Sequence, residues 1–238
     1  MKKEICIVIP CFNVKNKIFS VIKSLNFKKI DKVVIVDDKC PEQSGLYIKN
    51  KIKNNKKIHI IFLKKNHGVG GATIAGFRYA IKKKYKFVIK LDGDGQHEPS
   101  KIKKIIDHLN KGYNYCKGYR SLNIFNLNKM PLIRYLGNVT LTLIFNIISN
   151  NYTIKDVTNG FIGIETNFLK KINLNEIKND YFFEQDLLFN LILKKVKIFQ
   201  IKTKTIYEDE KSSLKPLKVI LPFISYYLKN LFSKFTKN

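Results

Sequence analysis

The first 110 residues switch regularly between two spacings of apolar side chains. Short runs rich in Val and Ile at Glu4–Pro10, Lys32–Val36, Ile58–Leu63 and Phe87–Leu91 read as buried strands. Between them the apolar residues recur at three and four positions, as Ile18, Val21, Ile22 and Leu25 do. That spacing predicts a helix there, with others through Tyr47–Lys53, Ala72–Ile81 and Ile102–Leu109. Strands alternating with helices make βαβ units, so the expected class is α/β, a mainly parallel sheet with helices on both faces. The second half is less regular. A long apolar helix is expected over Pro131–Ile148, a turn over Asp156–Phe161, a helix over Asp180–Leu193 and a strand over Val196–Ile206. From Ser212 onward the chain is basic, aromatic and amphipathic. The expected organisation is therefore one domain over residues 1–211 and a C-terminal segment over 212–238.

In a parallel sheet, ligands collect at the carboxyl ends of the strands. The polar motifs fall there: Pro10-Cys11-Phe12-Asn13, Asp37-Asp38, Asn66-His67-Gly68 and Asp92-Gly93-Asp94. The last is the most pointed. An apolar run ends in two carboxylates at i and i+2, with the Gln96 amide at i+4, and the glycines let the backbone turn sharply. Asp92, Asp94 and Gln96 offer only oxygen, the donor set of hard ions such as Mg²⁺ or Mn²⁺ that also hold substrate phosphates. A bare Asp-x-Asp equally suits a polar strand-to-helix turn in which Asp94 serves as a cap. A calcium loop needs Glu at its twelfth position, and counting from Asp92 that position is Lys103.

Two further stretches carry alternatives. Gly68-Val69-Gly70-Gly71-Ala72 opens a helix, where backbone amides attract phosphate or pack closely on a nucleotide; it matches neither the P-loop nor the dinucleotide fingerprint. In Tyr181-Phe182-Phe183-Glu184-Gln185-Asp186, the two carboxylates either complement the helix dipole or serve chemistry as a general base or acceptor-orienting group. Asp37-Asp38 reads as a solvated turn or as a partner for a base or ribose hydroxyl.

Composition narrows the class. With 238 residues, 45% hydrophobic and 12% aromatic, the chain can bury a core and is not of disordered type. Its four cysteines show neither zinc spacing nor a disulfide framework; Cys6, Cys11 and Cys40 are expected in or beside strands, and the reducing cytoplasm is the expected compartment. Met1-Lys2-Lys3 is followed by an apolar run too short for a signal peptide and broken by Pro10. Val139–Ile148 and Val219–Leu228 are about half the ~20 apolar residues that span a bilayer, so they can lie on a membrane but not cross it. The net charge of +27, from 45 Lys and Arg against 18 Asp and Glu, calls for an anionic partner: nucleic acid, phosphorylated substrate or acidic membrane. Only three of the cations are Arg (Arg78, Arg120 and Arg134), and Arg is the residue that grips phosphate bidentately.

Taken in order, these motifs resemble a family 2 glycosyltransferase of the GT-A fold, similar to the dolichyl- or polyprenyl-phosphate sugar synthases and to bacterial cell-surface polysaccharide enzymes. To those already quoted the resemblance adds Lys117-Gly118-Tyr119-Arg120, Asp156-Val157-Thr158-Asn159-Gly160-Phe161 and Tyr207-Glu208-Asp209-Glu210-Lys211-Ser212-Ser213-Leu214-Lys215, so it runs from Ile5 to about Lys215, nearly the whole chain. It implies a metal-dependent, inverting transfer from a nucleotide-diphosphate sugar to a polyprenyl phosphate or a glycan precursor. It also implies roles. Pro10, Asn13, Asp37 and Asp38 frame the nucleoside. Gly68, Gly70, Gly71 and Lys211 belong to the donor side. Asp92, Asp94 and Gln96 hold Mg²⁺ or Mn²⁺ on the diphosphate. Asp156 and the Thr158-Asn159-Gly160 turn line the sugar or acceptor site, and Arg120 and Arg134 take an acceptor phosphate, while Arg78 makes a structural contact. Asp186, with Glu184 beside it, is the base for a hydroxyl acceptor; a lipid phosphate is already ionised and needs only orienting. The chain departs from the family at Lys39-Cys40, where Gly/Ala-Ser is usual, and lacks the membrane-spanning tail of many relatives, so a peripheral place on the inner face of the cytoplasmic membrane is expected.

Two other classes compete. A nucleic-acid-binding protein fits the charge, but basic-aromatic motifs are missing and acids cluster at four strand ends, so no nucleic acid is expected. A nucleotidyltransferase would carry a Gly-rich basic loop after the first strand, where this chain has Cys11-Phe12-Asn13.

Overall fold

The computed structural model describes residues 3–52, 55–120 and 132–204. The four expected strands of the first half form at Ile5–Cys11 (β1), Lys32–Asp37 (β2), Ile58–Phe62 (β3) and Phe87–Lys90 (β4). The helices between them are Lys15–Lys23 (α1), Ser44–Lys51 (α2) and Gly68–Lys82 (α3), with Ile102–Asn110 (α4) after β4. Beyond these come Tyr115–Arg120 (β5), Leu132–Ser149 (α5), Ile162–Glu165 (β6), the short Thr166–Leu169 (α6), Phe183–Leu193 (α7) and Ile198–Thr203 (β7).

One sheet takes the order β3-β2-β1-β4-β6-β5-β7. All its strands run parallel except β6, which is antiparallel to both β4 and β5. The expectation of a mainly parallel sheet with helices on both faces therefore holds. Alternation along each strand sorts the core into two layers. On one side Cys6, Val8 and Val88 meet Phe77 of α3 and Phe183, Leu187 and Leu191 of α7. On the other, Ile7, Ile9, Phe87 and Ile89 meet Ile18 and Ile22 of α1 and Ile105 and Leu109 of α4.

β5, β6 and α6 had no counterpart in the apolar pattern. β6 is four residues long, too short for a period to show, and β5 carries Lys117 and Gly118 where a strand pattern wants apolar residues. α3 starts at Gly68, four residues before the expected Ala72, so the glycine run lies inside the helix. α7 starts at Phe183 because Asp180 belongs to the turn before it, where its Oδ1 accepts from the Phe182 amide at 2.9 Å. The segment 212–238 and Lys211 lie outside the described residues. All four cysteines are free and buried.

Candidate active site

Topology gathers the site at one edge of the sheet. β1, β2, β4 and β5 end there; β6, running the other way, begins there, which brings its preceding turn at residues 156–161 to the same edge. α7 contributes its first turn.

Lys90 is the hub. As the last residue of β4 it follows Val88 on the face covered by α3 and α7, and its side chain is 1% exposed. Its ammonium donates to Asp92 Oδ1 at 2.7 Å, to Glu184 Oε1 at 2.9 Å and to the Gly160 carbonyl at 3.3 Å. Burial alone would lower its pKa, but the charges of Asp92 and Glu184 outweigh that and raise it, so it stays an ammonium. Gly160 is required by this crowding. A Cβ there would lie 2.6 Å from Lys90 Nζ, 2.9 Å from Asp92 Oδ2 and 3.1 Å from Glu184 Oε1. Asp92 completes its bonding through Oδ2, 2.8 Å from His97 Nε2, and the His97 ring stacks on Phe161. Burial pushes the Asp92 carboxyl up, and Lys90 and His97 more than reverse it, so it is held well below the usual carboxylate range.

A second buried lysine sits in the same row of the sheet. Lys90 and Lys117 both pair in register with Ile162, one from each side. Lys117 is fully buried and donates to the Asn159 carbonyl. Burial lowers its pKa to about 8, against the opposing pull of Asp156 and Glu184. Arg120 lies at the end of β5. Its Nε donates to Asp156 Oδ2 at 2.7 Å, its Nη2 to Asp156 Oδ1 at 2.9 Å, and Nη2 also reaches Thr158 Oγ1. Burial would raise the Asp156 carboxyl, yet Arg120 brings it down to about 2. Three cations, Lys90, Lys117 and Arg120, thus face three carboxylates, Asp92, Asp156 and Glu184. The chain carries a net +27, but these six groups balance. The buried Tyr115 hydroxyl has no hydrogen-bond partner among the described residues.

The sequence-assigned residues divide. Asp92, Glu184, Arg120, Asp156 and Asn159 come together as described, but Arg120 and Asp156, both assigned to the acceptor, engage each other first. Asp186 turns elsewhere: its Oδ2 accepts from the Lys178 amide at 2.8 Å and its Oδ1 from Asn190 Nδ2 at 3.3 Å. Of the two carboxylates, Glu184 is the one tied to the Asp-x-Asp turn.

The glycines assigned to the donor admit the chain's own backbone. The Gly70 and Gly71 amides donate to the Asn179 carbonyl at 3.0 and 3.4 Å, and a Cβ at Gly68 or Gly70 would lie 2.6 Å or 2.8 Å from that oxygen. The Gly68 amide goes to Asn66 Oδ1 at 3.0 Å. Asp37 is likewise committed to the fold, its two oxygens accepting from the Cys40 amide at 2.8 Å and the Gly45 amide at 2.7 Å. Asp38, whose carboxyl is raised by burial, accepts from the His67 amide at 2.8 Å. Asn13 takes a left-handed φ of 54°, and its amide donates to Cys40 Sγ at 3.2 Å, so cysteine stands as acceptor in the turn where the family's serine is usual. Pro10 abuts the motif: a Cβ at Gly93 would lie 3.3 Å from the Pro10 carbonyl. Arg134 stands in the first turn of α5. Arg78 donates to Asn175 Oδ1 at 2.5 Å, the structural contact expected of it.

A divalent ion fits this turn by its chemistry: the half-buried Asp92, Asp94 and Gln96 each offer a side-chain oxygen, and Asp92 shares Lys90 with Glu184. Among the described residues no group of three or more His, Cys, Asp or Glu side chains is set to hold a metal, so the two carboxylates would need the Gln96 amide and ligand oxygens to complete a shell. Sequence reasoning placed Gly160 in the sugar or acceptor turn and Lys117 in a motif of the resemblance, but gave neither Lys90 nor Lys117 a role. The available signal was a lysine inside an apolar strand, since such a charge is buried only when paired.

Comparison with known proteins points the same way. Residues 6–172 match the family model described as Glycosyl transferase family 2. The chain is 29% identical over 238 residues to the UDP-N-acetylglucosamine–dolichyl-phosphate N-acetylglucosaminyltransferase of Methanococcus voltae, covering 94% of each protein. It is 24% identical over 163 residues to the undecaprenyl-phosphate mannosyltransferase of Micrococcus luteus, covering 66% of this chain and 64% of that protein. In three dimensions it resembles glucosyl-3-phosphoglycerate synthase from Mycobacterium tuberculosis, crystallised with Mn²⁺, UDP and phosphoglyceric acid. That match has a TM-score of 0.68 at 14% identity, covering 97% of this chain and 78% of the other. The fold is of the GT-A type that the motif order implied.

Proposed function

The chain belongs to glycosyl transferase family 2, and from that premise we propose that it transfers a sugar from a nucleotide-diphosphate donor to a polyprenyl phosphate, using a divalent cation and inverting the anomeric centre. The observation that carries the reading is the meeting of the Asp92-Gly93-Asp94 turn with Glu184 through Lys90 at the carboxyl edge of the sheet. Donor chemistry and acceptor chemistry need to share one spot, and this is where strand ends and the first turn of α7 converge.

In this reading Pro10, Asn13 and Asp38 frame the nucleoside, and Asp92, Asp94 and Gln96 hold Mg²⁺ or Mn²⁺. Such an ion supplies positive charge to the leaving diphosphate. An acceptor phosphate oxygen attacks the anomeric carbon opposite the diphosphate. The phosphate is already an anion, so no side chain has to take its proton, and Glu184 acts by orienting it. The Arg120–Asp156–Thr158 assembly frames the acceptor side, with Arg134 on the helix behind it. The names of the dolichyl- and undecaprenyl-phosphate relatives support this acceptor class.

A lipid acceptor also implies a face toward the bilayer. Among the described residues no helix is long and apolar enough to cross a membrane. α5, however, exposes Leu136 (53%), Leu143 (58%) and Ile147 (62%), spaced i, i+7 and i+11 along one stripe. No acidic residue occurs between Asp107 and Asp156. An apolar stripe in an acid-free stretch suits peripheral attachment to anionic lipid.

The test is transfer from labelled UDP- and GDP-sugars to a short polyprenyl phosphate in the presence of Mn²⁺. Lipid-linked sugar is expected, and it should vanish in EDTA and fall by ~10³-fold or more in Asp94→Ala, the scale on which lost electrostatic stabilisation acts. Transfer that persists in EDTA would overturn the metal; transfer only to a hydroxyl acceptor would overturn the acceptor class.

A further inference from the structure

The transferase reading draws on the contacts of Lys90 but assigns Lys90 itself no role. A buried strand residue beside a carboxylate-rich site can be apolar, yet here an ammonium with 1% exposure is set between two carboxylates. Each of its bonds comes from a different element. Asp92 follows β4, Gly160 precedes β6, and Glu184 opens α7. The Lys90–Glu184 contact joins residues 94 apart in sequence, and Lys90–Gly160 joins residues 70 apart. The fit leaves no slack, since Gly160 could not carry even a Cβ without meeting Nζ at 2.6 Å. Asp92 has its other oxygen on His97, so Lys90 and His97 between them set the plane of the carboxylate.

We propose that Lys90 is a positioning residue for donor binding: its ammonium orients Asp92 from behind and ties the Asp-x-Asp turn to Glu184. The proposal rests on the transferase reading and goes beyond it, because it assigns to a side chain outside the motif the geometry in which the motif meets the diphosphate and its cation. A carboxylate that a second residue holds in orientation loses affinity for its ligand when that residue is removed, by about 10- to 100-fold in metal sites.

A plain Lys90→Met change leaves Asp92 and Glu184 buried face to face without a cation and is liable to unfold the protein. The decisive comparison therefore uses charge-balanced proteins. Glu184→Gln keeps the Lys90–Asp92 bond; Lys90→Met/Glu184→Gln removes one charge of each sign. Calorimetric titration with UDP and GDP in the presence of Mn²⁺ reads the donor side without turnover, and thermal melting reports the fold. The reference is the affinity of Glu184→Gln for the preferred diphosphate. The double variant should bind it about 10- to 100-fold more weakly, with a melting temperature no lower than that of Glu184→Gln. Equal binding by the two variants would show that Lys90 only neutralises Glu184, and the inference would fall while the transferase reading stood. A double variant whose weaker binding is matched by a lower melting temperature would likewise overturn the positioning role. If the wild-type protein binds neither diphosphate with Mn²⁺, both the transferase reading and this inference fail.

Discussion

Asp156 has no exposed side-chain surface, and its carboxylate is gripped by both arms of Arg120. Its pKa, brought down to about 2 despite burial, makes the pair sensitive to acid in one direction. A depressed carboxyl contributes stability that is complete above the unfolded value of about 3.9 and is lost as pH falls through about 2. The difference corresponds to about 2–3 kcal/mol. In denaturant titrations, wild type should therefore lose its advantage over Asp156→Asn between pH 5 and pH 2, and a gap that stays constant over that range would contradict the pairing. At this scale the sequence told half the story. Asp92 and Asp94 announce themselves by chemistry and spacing. Their partners do not, because nothing local says that a lysine in Phe87-Val88-Ile89-Lys90 will meet a glutamate on a helix 94 residues later. The glycines at 68, 70 and 71 show the same limit: the Gly70 and Gly71 amides are met by the Asn179 carbonyl, which no pattern in their own neighbourhood specifies.

Elements with a strong period were legible: the first four strands and α1 through α4 appear where the spacing puts them, within a few residues. β5 and β6 escaped because their residues are chosen by tertiary neighbours, Lys117 for its partner Asn159 and Gly163 for the close approach of Ile105. The contact between α3 and β1 gives an element-scale prediction. Gly76 of α3 lies against Val8 of β1 so closely that a Cβ would overlap Val8 Cγ1 and sit 2.9 Å from Cγ2. Val8 is in the centre of the sheet and cannot withdraw. Gly76→Ala, favourable for an isolated helix, should here destabilise the protein by about 1–3 kcal/mol through overpacking. Chemical denaturation checks it, and an unchanged or raised midpoint would mean that α3 can lift from the sheet.

For the whole molecule, the sign of the charge was plain from the sequence, but its distribution was not. The site's three cations and three carboxylates offset one another, so the net +27 comes from the rest of the chain. Together with the α5 stripe it predicts binding to vesicles containing anionic lipid, weakening as salt rises because exposed charges are screened beyond about 8 Å at physiological ionic strength. Leu143→Glu/Ile147→Glu should reduce flotation with such vesicles while leaving the melting temperature unchanged, since both side chains are more than half exposed. Equal flotation by the variant would remove α5 from the contact. The sheet order has one further consequence, for synthesis. β5 leaves the ribosome before either of its neighbours, β6 and β7, and β4 keeps one open edge until β6 arrives. Until residue 162 emerges, the nascent chain holds unpaired strand edges and two lysines, Lys90 and Lys117, that still lack Glu184 and Asn159. Assembly of the candidate site therefore waits for residue 184, and a nascent chain halted between β5 and β6 exposes unpaired strand edges.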